Sequence, residues 1–503
     1  MKRRVILVLA VAAGFVGCIN WAGAEDEFCR ENPTAAGCEA YLDAGSGGGG
    51  GGLGGGVGGG TGGGVSGGTG GGGDPDAGTG GGTGGGGATG PSQVTLNVSV
   101  AGGTTGQIMW LDGGVACPAG TCTLVVDAGT ELRLRGASGR FGVLTGFSGC
   151  AQPAHGLCQL TVTGNPTITA SFDRPNLVFV TSSTFPVGGF SLDGGDAIAY
   201  ANSLCAFHAA DAGLPGNFTA FLARPNPLRD PFAAVASARG WIRVDGKPAF
   251  DTLDVGSAYN LLYPLVLTEQ GARLTSGVPI ATGLSAAGGV GNTCGNFLAT
   301  GQLSVGSPTA GGTRWFADNQ GGPCPVAFNY HLACFGTDRS VPVQVDRTRP
   351  TRLAFITDAP WRVDGGLSAA DSACATTATN SYGADGGTFW ALLSSSGMSN
   401  PFQRIGNPSS TVPWARPDGV IVGPNPMGLR AEAVDVDAPL SNLGAWFWVG
   451  ASGLHCDGWT NPSAGGNPPY GAAFESGSGW YPTFRIGPAV CGRTDLHLAC
   501  FQQ

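Results

Sequence analysis

Between residues 91 and 174 apolar positions alternate with polar ones. Val94, Leu96, Val98 and Val100 form one such run, Leu132 and Leu134 a second, and Ile168, Ala170 and Phe172 a third. Successive side chains of a strand point to opposite faces, so these runs predict half-buried strands separated by Gly-rich turns. From residue 175 the pattern changes. Two short apolar strands, Val178-Phe179-Val180-Thr181 and Ala354-Phe355-Ile356-Thr357, are each followed by a helix-like stretch that carries a Cys. The expected fold class is mixed: a small all-β domain over 91–174, then two α+β domains over 175–346 and 350–503.

Upstream of this, residues 45–90 have no periodicity. They are nearly pure Gly with Thr, Ser and Val interspersed, which cannot bury enough apolar area to offset ordering entropy. A disordered linker is expected, with an r.m.s. reach of roughly 35–40 Å for a Gly-rich coil. It holds no GxxxxGK[ST] pattern and follows no strand, so a phosphate cradle is not expected. The one unbroken apolar run, residues 5–16, follows Lys2, Arg3 and Arg4. It is too short for a membrane span and has the form of a signal peptide over 1–24. Phe15-Val16-Gly17-Cys18 is similar to a lipobox, and a tether-like tract follows, so Cys18 is the expected lipidation site. Cleavage after Ala22-Gly23-Ala24 is the alternative and would give a secreted protein. The expected location is therefore the outer membrane or cell surface, with membrane contact only through the lipid.

Charge narrows the partners. Only 12% of residues are charged and the net charge is -9, which argues against nucleic acid or an anionic bilayer surface. Fifteen Cys are present. In an exported chain they imply a disulfide framework. With Cys18 set aside, the rest fall into even groups: Cys29 and Cys38 in the 25–44 segment; Cys117, Cys122, Cys150 and Cys158; Cys205, Cys294, Cys324 and Cys334; and Cys374, Cys456, Cys491 and Cys500.

The last two groups lie in repeats of one domain. His331-Leu332-Ala333-Cys334-Phe335 recurs as His497-Leu498-Ala499-Cys500-Phe501, and Trp241-Ile242-Arg243-Val244-Asp245-Gly246 recurs as Trp414-Ala415-Arg416-Pro417-Asp418-Gly419. Gly216-Asn217-Phe218 matches Gly387-Thr388-Phe389, and Trp315 and Trp480 each precede the third Cys of their copy. Landmarks in the same order with unequal gaps indicate duplication, with the insertions in loops.

Two resemblances follow from these residues. Gly146-Phe147-Ser148-Gly149-Cys150, then Cys158, then the closing Ala170-Ser171-Phe172 resemble the internalin B-repeat-like domain, which implies a stalk role for 91–174. The order of strand, Cys-bearing helix, Trp-rich middle and terminal Cys strand resembles the endostatin-related domain of bacterial lipoproteins, with a C-type-lectin-like fold. Cys456-Asp457-Gly458-Trp459 is nearer that pattern than Cys294-Gly295-Asn296-Phe297. The resemblance implies disulfides Cys205 to Cys334, Cys294 to Cys324, Cys374 to Cys500 and Cys456 to Cys491.

Candidate chemistry is sparse. Trp-x-Arg-x-Asp-Gly reads chiefly as a core Trp and a tight turn; as a recognition surface it would offer Arg243 with Asp245 and Arg416 with Asp418 for ligand binding. In Trp446-Phe447-Trp448, strand alternation predicts both Trp side chains inside and Phe447 outside. The sequence has no HExxH or CxxC motif and no GxSxG elbow outside the Gly-rich tract, so no catalytic site, metal or cofactor is expected. The expected function is recognition of an extracellular glycan or protein. A structural envelope component is the alternative and a secreted hydrolase the third reading.

Overall fold

The computed structural model describes residues 91–503 apart from short interruptions, the longest at 424–435 and 477–490. Cys18, the Cys29/Cys38 segment, the Gly-rich tract and Trp480 lie outside the described residues. The described part is a mixed α/β structure of several sheets with few helices.

Residues 91–174 form two sheets around one core. Pro91–Val100 pairs antiparallel with Thr121–Asp127 and parallel with Thr167–Asp173. Glu131–Ser138 stands in the second sheet between Gly106–Trp110 and Leu157–Thr161. Val94, Leu96, Leu132, Leu134, Ile168 and Phe172 meet between the sheets, as the period-two pattern requires. Disulfides Cys117–Cys122 and Cys150–Cys158 clip two of its turns.

The repeats share one five-strand scaffold. In the first, the opening strand Asn176–Val180 pairs parallel with Trp241–Arg243 and antiparallel with the closing strand His331–Gly336. Pro248–Phe250 flanks one side and Phe218–Ala220 the other. In the second, Arg352–Ile356 takes the same neighbours: Trp414–Ala415 in parallel and Ala499–Gln502 in antiparallel register. Ile421–Gly423 and Phe389–Ala391 complete it.

Each landmark is a lock within this scaffold. Trp241 Nε1 donates to the Gly336 carbonyl at 2.8 Å, and Trp414 Nε1 to that of Gln502 at 2.9 Å. Leu332 N donates to Thr181 Oγ1 at 3.0 Å, and Leu498 N to Thr357 Oγ1 at 3.1 Å. His331 Nδ1 and His497 Nδ1 bond the Thr181 and Thr357 carbonyls. These bonds satisfy buried polar groups at the end of the opening strand, which would otherwise be costly.

The long helix of each repeat, Ala197–Asp211 and Gly366–Tyr382, lies against the sheet through its inward Cys. Asp196 caps the first, accepting from Ile198 N and Ala199 N. Gly383, at φ 61°, ends the second in the left-handed conformation that suits Gly. Disulfides join Cys205 to Cys334 and Cys374 to Cys500, tying helix to closing strand. Cys294 joins Cys324, and Cys456 joins Cys491. These are the pairs that the resemblance implies. Six such bonds indicate an extracytoplasmic protein. No helix among the described residues is long and apolar enough to cross a membrane.

Two features depart from the sequence reading. Phe447 is fully buried while Trp446 is only half-buried. The strand Trp446–Trp448 is covered on both faces: Phe447 enters one core cluster with Val436 and Phe501, and Trp448 another with Trp361 and Trp459. Alternation sorts inside from outside only where one face meets water. The second feature is the loop at Cys294–Phe297 and Cys456–Trp459, which differ in sequence yet share a left-handed turn. φ is 54°, 60°, 67° and 67° in one and 48°, 57°, 72° and 67° in the other. Side chains resist that region, but Phe297 and Trp459 are fully buried and the adjoining disulfides hold both turns.

Candidate functional site

The two arginine pairs do not face outward through their guanidinium groups. Arg243 is 1% exposed; its Nε donates to Asp245 Oδ1 at 3.0 Å, its Nη2 to Oδ2, and its Nη1 to the Pro264 carbonyl at 3.1 Å. Arg416 repeats the arrangement with Asp418 and the Pro439 carbonyl. Gly246 N and Gly419 N donate back to the Arg243 and Arg416 carbonyls, closing a tight turn at φ 84° and 89°. Burial disfavours the Arg243 charge, but the Asp245 carboxylate outweighs this and raises the arginine's pKa. Burial also pushes the Asp418 carboxyl up, but the hydrogen bonds and charge of Arg416 hold it below the usual range. Each arginine thus pins its turn to the loop behind it. The guanidinium donors of Arg243 and Arg416 are used in anchoring, while the carboxylates of Asp245 and Asp418 keep 31% and 41% side-chain exposure.

Around the second of these turns the structure opens a groove of about 480 Å³. Leu353 of the opening strand, Ala415 of the Trp strand, Pro417 of the turn and Ala384 beyond the helix form its apolar lining. Tyr382, Thr351 and Gln502 add hydrogen-bonding groups, and Asp346 and Arg347 add charge. Arg416 also lines it, although its nitrogens bond inward. Gln502 Oε1 accepts from Leu353 N at 2.9 Å, which fixes the amide against the strand. Arg347 Nη2 donates to the Asp418 carbonyl. Burial, with the charge of Asp358 behind it, raises the Tyr382 hydroxyl above its ordinary pKa, so it is a neutral donor at physiological pH. Of this lining the sequence reading singled out only Arg416. The signal lay in the landmark motif, where Ile242 and Val244 of one copy are Ala415 and Pro417 of the other.

In the first repeat the corresponding strand residues belong to a cluster on which the β domain packs. Phe141 and Val143 of the β domain pack on the cluster that includes Leu177, Ile242 and Val343, with Val244 beside it. Leu177 and Ile242 are neighbours across the parallel pair, as Leu353 and Ala415 are in the second repeat.

A second arrangement in the first repeat bears on the hydrolase reading. Ser182 Oγ donates to Glu269 Oε1, Ser182 N donates to Oε2 at 2.8 Å, and His208 Nδ1 lies 2.8 Å from Oε1. An acid, a histidine and a serine meet, but the carboxylate stands between the other two. Nucleophilic catalysis requires the imidazole on the hydroxyl, and here both groups bind the same carboxylate oxygen. His331 and Cys334 are engaged with Thr181 and Cys205. Among the described residues no group of three His, Cys, Asp or Glu could hold a metal ion.

No family model and no curated protein matches the chain.

Proposed function

We propose that the protein is an exported, surface-tethered recognition protein whose second lectin-like repeat carries the ligand site. The open groove beside Leu353 and Tyr382 is the observation that carries this reading: it is a concavity with an aliphatic floor and polar groups converging on it from its rim, the combination that binding sites use. The rest of the chain suits a display role. A lipid at Cys18 anchors it, the Gly-rich tract gives reach, and the β domain acts as a stalk on which the repeats are presented. The ligand is an extracellular glycan or protein, and no catalytic step is assigned.

The test uses the full mature chain on glycan arrays and against panels of extracellular proteins, with Thr351→Trp as the control variant. Thr351 is an exposed groove residue, so an indole there fills the groove without disturbing the core. Binding that is strong in the wild-type chain and lost in the variant is expected. Ligands bound equally by both chains would move the site elsewhere.

A further inference from the structure

We infer that the groove receives a protein turn with an aromatic residue at its tip, the chemistry that the β domain supplies to the first repeat through the turn joining its two sheets. This rests on the groove being the ligand site and decides between the two ligand classes.

The first repeat carries its answer in place. Gly139-Arg140-Phe141-Gly142 forms a tight turn in which Gly142 N donates to the Gly139 carbonyl at 3.0 Å. Phe141 sits at φ 61°, with the Arg140 guanidinium 4.5 Å from its ring centroid. Phe141 and Val143 pack against the core cluster to which Leu177 and Ile242 belong. Because both repeats run the same strands in the same register, the matching face in the second repeat was built for the same kind of cover. Among the described residues the β domain contributes nothing to its lining, and its floor is lower, since Ala415 replaces Ile242.

Volume and chemistry agree with a ring and its flanking backbone. A cavity of about 150 Å³ already holds benzene, so about 480 Å³ leaves space for the turn that carries the ring. The floor is aliphatic, at Leu353, Ala384, Ala415 and Pro417. The Tyr382 ring is engaged with Phe355 at 5.0 Å between centroids, so the lining offers a sugar little aromatic surface for stacking. Tyr382, Thr351 and Arg347 provide rim groups suited to a turn's amides and carbonyls. The groove also continues an existing interface: Asp346 on its rim is bound by Arg135 of the β domain.

The probe is a disulfide-cyclised peptide with the sequence of residues 138–145, titrated into the full chain by calorimetry. Saturable one-to-one binding is expected. It should weaken by roughly tenfold or more in a peptide carrying Phe141→Ser, as loss of an aromatic anchor does, and equally in the Thr351→Trp and Ala384→Trp chains. Peptide binding that survives in both chain variants would place the peptide on the first repeat and overturn the inference. If the peptide fails to bind while a glycan binds and is lost in Thr351→Trp, the groove is a sugar site: the inference falls and the proposed function stands. Self-association abolished by Thr351→Trp would make the occupant a second copy, which also overturns it. If neither peptide nor glycan nor self-association responds to filling the groove, both readings fail together.

Discussion

In the first repeat Phe141 and Val143 of the β domain pack on the cluster that includes Leu177 and Ile242, and the helix displays Tyr200 and Phe207 outward at 50% and 66% exposure. In the second, the face beyond Leu353 and Ala415 is open, and the outer side of the helix carries Ser368, Ser372 and Thr376. Beneath these differences the strands, registers and outer disulfides coincide. The landmarks that make the duplication visible are therefore scaffold, and the chemistry of each copy lies in the positions that changed after duplication. A search for function among repeated residues finds anchors such as Arg243 and Arg416; the unrepeated residues around them hold the groove.

If the scaffold is common to both copies, damage to it should cost the same in either. Trp241 and Trp414 are fully buried and donate to the closing strand in the same way. Trp241→Ala and Trp414→Ala should each destabilise by about 3–5 kcal/mol, the range for emptying a buried aromatic site. Denaturant unfolding followed by fluorescence measures this. A large loss in one copy and a negligible one in the other would end the claim of equivalence.

Somewhat smaller effects are expected from the outer disulfides, which close loops with sequence separations of 129 and 126. Cys334→Ser and Cys500→Ser should each lower stability by roughly 2–4 kcal/mol, since loops of nearly equal length restrict the unfolded chain nearly equally. Non-reducing peptide mapping should find no bond between residues 205–334 and 374–500. A cross-linked peptide from the two ranges would overturn the pairing.

How far the sequence led follows from these same residues. Strand patterning and the paired landmarks were legible because they obey local rules: period two for Val94 and Leu96, and verbatim recurrence for the Leu-Ala-Cys-Phe strand. The left-handed turn at Cys294 and Cys456 was not, because Gly-Asn and Asp-Gly suit positive φ equally well without looking alike. Phe447 was misjudged because its second face is covered by elements remote in sequence. The groove was illegible for the same reason: its lining, from Thr351 and Leu353 through Tyr382 and Ala415 to Gln502, comes from segments remote in sequence. The joints between domains were also invisible, and they modify the expectation of separate repeats. Each repeat has its own core clusters, yet Tyr263 of the first packs with Val420 and Ala438 of the second.

The two joints of the chain should answer pH in opposite directions. Between the β domain and the inter-repeat segment, Asp346 pairs with Arg135; burial works against the carboxylate, but Arg135 and the Thr348 bonds hold its pKa below the usual value. Its contribution is present above the unfolded pKa and lost as pH falls through the folded one. Between the repeats, Glu475 accepts from Thr309 Oγ1 at 2.9 Å. Burial, with Asp318 adding to it against Thr309 and Arg314, raises its pKa to about 7. Between the ordinary carboxyl value of 4.5 and about 7, the folded state holds a proton that the unfolded chain has released. Stability therefore declines as pH rises through that window, by on the order of 1–3 kcal/mol. Glu475→Gln should flatten that slope in thermal melts from pH 4 to 8. An unchanged slope would remove Glu475 as its source.

The smallest effect is expected at the charged part of the same joint. Lys247 Nζ lies 3.0 Å from Asp437 Oδ2, and Arg273 Nη1 lies 3.3 Å from Oδ1. The Lys247 side chain is 38% exposed, and ion pairs open to water add little because hydration competes with the partner. Lys247→Ala should thus cost below about 0.5 kcal/mol, with Arg273 still holding Asp437. Tyr263 is different: it is buried against Val420 and Ala438, and its hydroxyl accepts from Ile421 N at 2.9 Å. Tyr263→Phe leaves that amide without its partner inside the joint and should cost about 1–2 kcal/mol. Measured side by side, the pair separates a joint held by apolar packing and one buried bond from a joint held by charge. If Lys247→Ala proves the more damaging, the repeats are held together electrostatically, and raising the salt concentration should then loosen them by a comparable amount.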